Sequence, residues 1–141
     1  MRKLSIGLIA PLALAGAFAA APVAAQDELT IASSMPALEF PFFVHMQKEL
    51  REEAEALGGI TLIETDGENS APTQTADVEA AITQGVAGII ISPIDTVAMA
   101  PVLQQAVEAG IPVVTIDRRV DGVEGILSHV GADNVIGGEA Q

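Results

Sequence analysis

The residues best suited to chemistry are Asp117 and Arg118, which stand side by side and are followed by a second arginine, Arg119. A carboxylate accepts hydrogen bonds, whereas a guanidinium donates them from a rigid planar fork. Vicinal hydroxyl groups suit this pair, because each hydroxyl can donate to Asp117 and accept from Arg118. The alternative is an ordinary ion pair in a surface loop. We interpret Arg119 as solvent-facing or structural.

Three phenylalanines form the second candidate group, since Phe40, Phe42 and Phe43 fall within four positions and only Phe18 lies elsewhere. Aromatic faces provide large apolar contact area and can pack against the C–H faces of sugar rings. Packing in the core is the competing explanation, and it must hold for at least one of the three. Phe43 is the candidate for the core, Phe42 is the first choice for stacking on a ligand, and Phe40 is the next.

Weaker polar candidates follow two of the predicted strands. Ser34 and Ser92 can each donate one hydrogen bond to a ligand, but either hydroxyl can equally cap the following turn. The sequence lacks the glycine fingerprint that cradles phosphates, so a nucleotide cofactor is disfavoured. It also lacks a nucleophile elbow, a metal-ligand pattern and an acid–base pair. We therefore predict no catalytic residue, no metal and no cofactor, and interpret His45 as solvated and His129 as structural.

These candidates must be positioned by an alternation of strands and helices, read from hydrophobic periodicity and from glycine and proline punctuation. The run of β-branched residues at 88–91 is typical of a central parallel strand that is buried on both faces. Short connections predict an α/β fold, a doubly wound parallel sheet with helices on both faces. In such a sheet, ligands bind beyond the carboxyl ends of the strands, where the polar candidates fall. Strands are predicted at 29–33, 60–65, 88–91, 112–116 and 125–130, helices at 41–57, 73–84 and 96–109, and a further helix is predicted to begin at 134–138.

The first 25 residues have the pattern of a signal peptide. Residues 1–3 are basic, residues 4–25 carry no charge, and small residues precede the expected cleavage near Ala25. An uncleaved membrane anchor is the alternative, which Pro11 and Pro22 disfavour. We expect an exported protein, retained in the periplasm.

Charge and cysteine content narrow the class of partner. The net charge is −13, every acidic residue lies at or beyond Asp27, and the chain has no cysteine. So acidic a surface repels phosphate backbones, and we therefore expect no nucleic-acid partner. Without cysteine there is no disulfide framework, thiolate metal site or lipid anchor.

Six short motifs follow one another in a fixed order along the chain, at residues 29–34, 41–43, 89–93, 110–118, 131–134 and 137–138. Together they resemble the ribose-type periplasmic sugar-binding proteins of ABC transporters. The resemblance implies a type I periplasmic-binding-protein lobe at 26–141 that represents only the N-terminal lobe. The family's second lobe and hinge strands would then be absent, and the sequence would be a fragment.

The resemblance also implies roles for individual residues. Asp117 and Arg118 match the pair that hydrogen-bonds sugar hydroxyls, and Phe42 with Phe43 matches the aromatic pair at the sugar ring. Ser34 matches a polar contact after the first strand.

Some positions depart from the ribose pattern. Ser92 stands where ribose binders usually carry asparagine. Glu39-Phe40 replaces a polar approach to the aromatic pair, and Pro36-Ala37 lengthens that loop. The ligand is therefore not assumed to be ribose, because another pentose, a hexose or a polyol is as plausible.

The function implied by the resemblance is capture of a monosaccharide or polyol without chemistry. Two lobes close over the ligand by a hinge, and the closed protein docks on a membrane permease or a chemoreceptor. One alternative is an exported flavodoxin-like enzyme, with Asp117 as base and Arg118 as anion clamp. Another is a signalling-molecule binder of the same fold. The effector half of a sugar-responsive repressor is disfavoured by the signal peptide and the missing helix-turn-helix.

Overall fold

The structure, a computed structural model, describes residues 28–132 together with 138–139. The predicted signal peptide therefore lies outside the described residues, as does the helix predicted from Asn134, apart from Gly138. Among the helices that the described residues form, none has the length and apolar character needed to cross a membrane.

Five parallel strands form one sheet in the order β2-β1-β3-β4-β5. The chain places β2 on one side of β1 and every later strand on the other side. The strand order thus reverses beside β1, which is where open sheets of this kind form a ligand crevice at the carboxyl ends of the strands. This topology confirms the predicted α/β fold with a doubly wound parallel sheet. The strands are β1 (Leu29–Met35), β2 (Ile60–Asp66), β3 (Gly88–Ile91), β4 (Val113–Ile116) and β5 (Ser128–Val130).

Helices cover both faces of the sheet, as predicted. They are α1 (Pro41–Leu57), α2 (Ala71–Gln84) and α3 (Ala100–Glu108). Because side chains alternate along a strand, Ile89 packs in the core beneath α2 and α3, whereas Ile90 packs on the side of α1. The face beneath α2 and α3 holds the larger core.

The bounds of α1 agree with the sequence prediction for a local reason. Pro41 occupies the first helical turn, where its missing N–H costs nothing and its fixed φ suits a helix. Gly58, with φ at 69°, ends the helix in a conformation that few other residues adopt readily.

Two elements begin three or more residues later than predicted. Helix α3 begins at Ala100 and not at residue 96, because the Asp95 carboxylate accepts the N–H groups of Val97 and Ala98 at 2.9 and 2.7 Å and closes a separate turn. Strand β5 begins at Ser128 and not at residue 125, because Gly125 has φ at 88° and belongs to the preceding turn.

Candidate functional site

The carboxyl edge of the sheet brings the predicted polar residues together. Asp117 directly follows β4, and Ser92 directly follows β3. Ser34 is the second-last residue of β1 and is paired with Ile91. The Asp117 N–H donates to the carbonyl of Val130 at 2.8 Å, which fixes the end of β4 against β5. The strand-end argument therefore located the residues of one neighbourhood correctly.

Asp117 turns the backbone sharply at this edge. Its φ is 62°, and the N–H of Arg118 donates to the carbonyl of Ile116 across it at 2.6 Å. A hydrogen bond between residues two apart, around a positive φ, is the pattern of a γ-turn, which is rare and strained. Aspartate tolerates a left-handed conformation better than most residues because its short polar side chain bonds locally. The sharp turn ends β4 and leaves the carboxylate at the rim.

Three groups orient the Arg118 side chain. Its Nη1 donates to the carbonyl of Ile94 at 3.3 Å, its Nε lies 3.7 Å from Oδ2 of Asp117, and its Cζ lies 5.5 Å from the ring centroid of Phe43. The last distance is within the range of a cation–π contact. The side chains of Arg118 and Asp117 remain 42% and 33% exposed. The pair is thus held in place and still reachable from solvent.

The aromatic trio divides into one buried ring and two exposed rings. Phe43 is 5% exposed and packs with Met35 and Ile116, as expected of the member assigned to the core. It therefore offers almost no surface for the contact with a sugar ring that the resemblance implies for Phe42 and Phe43. Phe42 and Phe40 are 56% and 47% exposed. Both meet Phe43 edge-on, with ring centroids 5.1 Å and 6.5 Å away respectively. Phe43 therefore supports both Arg118 and its aromatic neighbours from below.

A cavity of about 390 Å³ lies next to this pair, between α1 and the ends of β4 and β5. Its size is within the range of small-molecule sites. Asp117 and Phe42 belong to its wall, but most of the remaining lining is apolar. A polar ligand would therefore bind at the Asp117 end. The lining residues are Phe42, Met46, Leu50, Ile116, Asp117, Val130, Gly131 and Ala132.

Both predicted serines lie behind the rim. Ser34 is 3% exposed and Ser92 is fully buried, and their hydroxyls face protein groups. The Ser34 Oγ accepts a hydrogen bond from Nε2 of Gln74 at 3.2 Å, and the Ser92 Oγ faces Oδ2 of Asp117 at 3.5 Å. In this conformation the two serines support the site from behind and do not form its surface.

Gln74 is a site residue that the sequence analysis missed. It lies on α2, has no exposed surface, and bonds to residues from β1 and from the segment after β3. One signal was available, because Gln74 stands four positions before Val78 on the inward face of the helix. A polar residue at a position of that kind must find partners inside the protein.

Arg119 and His129 lie apart from this group. They line a separate cavity of about 230 Å³ together with Thr115, whose Oγ1 is 2.9 Å from Nδ1 of His129. Burial lowers the pKa of His129, and the charge of Arg119 lowers it further. His45, by contrast, is exposed on α1, 3.6 Å from the Glu49 carboxylate. These placements agree with a structural His129, a solvated His45 and an Arg119 outside the site.

Comparisons with known proteins match the chain along most of its length. A family model described as "periplasmic binding protein domain" matches residues 31–141. The ribose import binding protein of Bacillus subtilis is 40% identical over 114 residues, which are 81% of this chain and 37% of that protein. The ribose import binding protein of Escherichia coli is 34% identical over 139 residues, which are 99% of this chain and 45% of that protein.

A solved structure extends the likeness to three dimensions. The crystal structure of the Caulobacter myo-inositol binding protein bound to myo-inositol has a TM-score of 0.72 and 36% identity, and covers 85% of this chain and 40% of that one. These three relatives are named as binding proteins and not as enzymes. The chain spans less than half the length of each of them.

Proposed function

This chain belongs to the periplasmic binding protein domain family, and we propose that it forms the N-terminal lobe, residues 26–141, of a sugar-binding protein of an ABC importer. The proposal is supported by the match over residues 31–141 and by a span of 37–45% of the relatives' lengths. Residues 1–25 act as a signal peptide, cleaved near Ala25, and the protein works in the periplasm. A membrane permease, or alternatively a chemoreceptor, receives the loaded protein.

The geometry of Asp117 and Arg118 carries this proposal. A carboxylate and a guanidinium lie side by side at the crevice edge of the sheet, partly exposed, and Asp117 shares a cavity wall with the exposed ring of Phe42. A sugar hydroxyl donates to the Asp117 carboxylate, and a neighbouring hydroxyl oxygen accepts from Arg118, which keeps donors beyond the one bound to Ile94. The apolar face of the sugar ring packs on Phe42, with Phe40 beside it.

Binding proceeds without any chemical step, so affinity depends on how completely the ligand is enclosed. A buried polar group left without a partner costs about 1–3 kcal/mol. One lobe supplies hydrogen bonds to one side of a polyhydroxylated ligand, and a second lobe must supply the rest. We therefore expect the chain alone to bind a monosaccharide or polyol weakly.

The identity of the ligand stays open among pentoses, hexoses and polyols. Two relatives are named for ribose and one was crystallised with myo-inositol. The serine at position 92 and the loop from Pro36 to Phe40 distinguish this chain from the ribose pattern. That loop is fixed by Asp66, whose Oδ1 accepts the N–H of Leu38 at 3.0 Å.

The proposal is tested by titrating the ¹⁵N-labelled chain with D-ribose, D-fructose, D-galactose and myo-inositol while amide resonances are recorded. We expect at least one ligand to shift the amides of Asp117, Arg118 and Phe42 at millimolar concentration. Shifts confined to other parts of the chain, or no shift with any polyhydroxylated ligand, would contradict the proposed site. Micromolar or tighter binding in calorimetry would contradict the requirement for a second lobe.

A further inference from the structure

Gln74 joins two separate parts of the carboxyl edge, the end of β1 and the segment after β3, through one buried amide group. Its Nε2 donates to the Ser92 carbonyl at 2.9 Å and to the Ser34 hydroxyl at 3.2 Å, and its Oε1 accepts the N–H of Ile94 at 2.8 Å. The side chain has no exposed surface, so these bonds cannot be replaced by solvent. A flipped amide would set Nε2 against the Ile94 N–H and Oε1 against the Ser92 carbonyl, so the orientation is fixed.

The residues that Gln74 holds are those that orient the charged pair. Ile94, bound to Gln74 through its N–H, accepts the Arg118 guanidinium on its carbonyl at 3.3 Å. Ser92, bound to Gln74 through its carbonyl, faces the Asp117 carboxylate with its hydroxyl at 3.5 Å. Gln74 is thus connected to Asp117 through Ser92 and to Arg118 through Ile94.

We propose that Gln74 is a positioning residue, which sets the directions of Arg118 and Asp117 by holding the segment from Ser92 to Ile94. It touches no ligand itself and acts through that segment. The value of this role for sugar binding rests on the proposed function, whereas the mechanical link to Arg118 can be tested without any sugar.

Gln47 provides a matched comparison within the same chain. It is also a glutamine on a helix, only 2% exposed, and its Nε2 donates to the Ser33 hydroxyl at 2.6 Å. None of its hydrogen bonds among the described residues leads to the charged pair. A glutamine that only stabilises the core should therefore behave like Gln47, and a positioning glutamine should not.

The test replaces each glutamine by methionine, which keeps the length of the side chain and removes its hydrogen bonds. The Nε–H resonance of Arg118 is recorded in the ¹⁵N-labelled chain, with that of Arg51 as internal reference, because Arg51 Nε is bound to Glu64 at 2.7 Å on another part of the surface. We expect Gln74→Met to shift the Arg118 resonance towards that of a free arginine and to lower its heteronuclear NOE. Gln47→Met should leave the Arg118 resonance unchanged, and Gln74→Met should leave the Arg51 resonance unchanged.

Two results would overturn the inference: an unchanged Arg118 resonance in folded Gln74→Met, or equal shifts in both methionine variants. If Gln74→Met does not fold, the link is measured in reverse with Arg118→Ala and the adjacent control Arg119→Ala, both exposed positions. The side-chain amide resonances of Gln74 should then move in Arg118→Ala only, and equal or absent movement would overturn the link. A failed sugar titration with this coupling intact would count against the proposed function alone.

Discussion

Two ion pairs on this lobe have similar exposure but opposite geometry. Arg51 grips Glu64 with two parallel hydrogen bonds of 2.7 and 2.6 Å, and the side chains are 50% and 28% exposed. Arg118 lies 3.7 Å from Asp117, with exposures of 42% and 33%. Arg51 uses its planar fork to bind its own partner, whereas Arg118 is oriented by Ile94 and Phe43 and, in the proposed function, keeps donors for a ligand. Geometry therefore distinguishes the proposed binding pair from the Arg51–Glu64 ion pair, whereas exposure does not.

The largest expected effect is on stability, when the buried ring of Phe43 beside Arg118 is removed. We expect Phe43→Ala to lower the free energy of unfolding by about 3–5 kcal/mol, the usual cost of truncating a buried phenylalanine. It should also release Arg118. Phe42→Ala, at a largely exposed position, should change stability by no more than about 0.5 kcal/mol and should instead weaken any sugar response. Denaturant unfolding measures the stability of both variants, and amide titration measures the sugar response of Phe42→Ala. Equal losses of stability in the two variants would contradict the division of the aromatic trio.

The next effect concerns ligand binding at the two arginines. Hydrogen bonds to charged groups contribute roughly 1.5–3 kcal/mol, so Arg118→Ala should weaken the sugar response about ten- to a hundredfold. Arg51→Ala, the matched control, should leave the response unchanged. Amide titration with D-ribose and myo-inositol gives the measurement. A similar sugar response in the two variants would show that the Asp117–Arg118 pair has no special role in binding.

A smaller effect separates the charge of Asp117 from its backbone conformation. Asp117→Asn keeps a residue that tolerates a positive φ, whereas Asp117→Ala adds strain of roughly 1 kcal/mol. We expect both variants to lose the sugar response and only the alanine variant to lose stability. Thermal unfolding compares them, and a stable alanine variant would show that the turn at 62° carries little strain.

The smallest effect is the contribution of the Arg51–Glu64 pair to the pH dependence of stability. The hydrogen bond from Arg51 lowers the pKa of Glu64 below its usual value of 4.5. A carboxyl group with a lowered pKa in the folded state stabilises the protein above the unfolded pKa, and this contribution is lost as the pH falls through the folded value. Arg51→Ala should therefore flatten the acid limb of stability below about pH 4.5. An acid limb of the same slope in both proteins would show that the pair contributes nothing.

Much of the fold was predictable because local signals agree with the tertiary structure. Pro41 and Gly58 fix α1, and the β-branched run before Ser92 fixes β3 in the middle of the sheet. The strand-end rule placed Asp117 and Ser92 in one neighbourhood without any knowledge of packing. The start of α3 was wrong because Asp95 caps a turn and not the helix itself.

The partners of Gln74 and Arg118 were not predictable, because they are distant in sequence. Gln74 bonds to residues 40, 18 and 20 positions away, and the Arg118 contact with Ile94 spans 24 positions. Composition and periodicity carry no record of such partners. The roles given to Asp117, Arg118 and the phenylalanines in sugar binding remain predictions.

The aromatic trio also gives the molecule a useful optical property. The sequence has no tryptophan or tyrosine, and apart from Phe18 its phenylalanines lie at positions 40–43, where Phe42 forms part of the cavity wall beside Asp117. The protein therefore has almost no intrinsic absorption or fluorescence at wavelengths above the absorption band of phenylalanine. A single indole introduced by Phe42→Trp would be the sole strong fluorophore, and its emission would report directly on what occupies that wall.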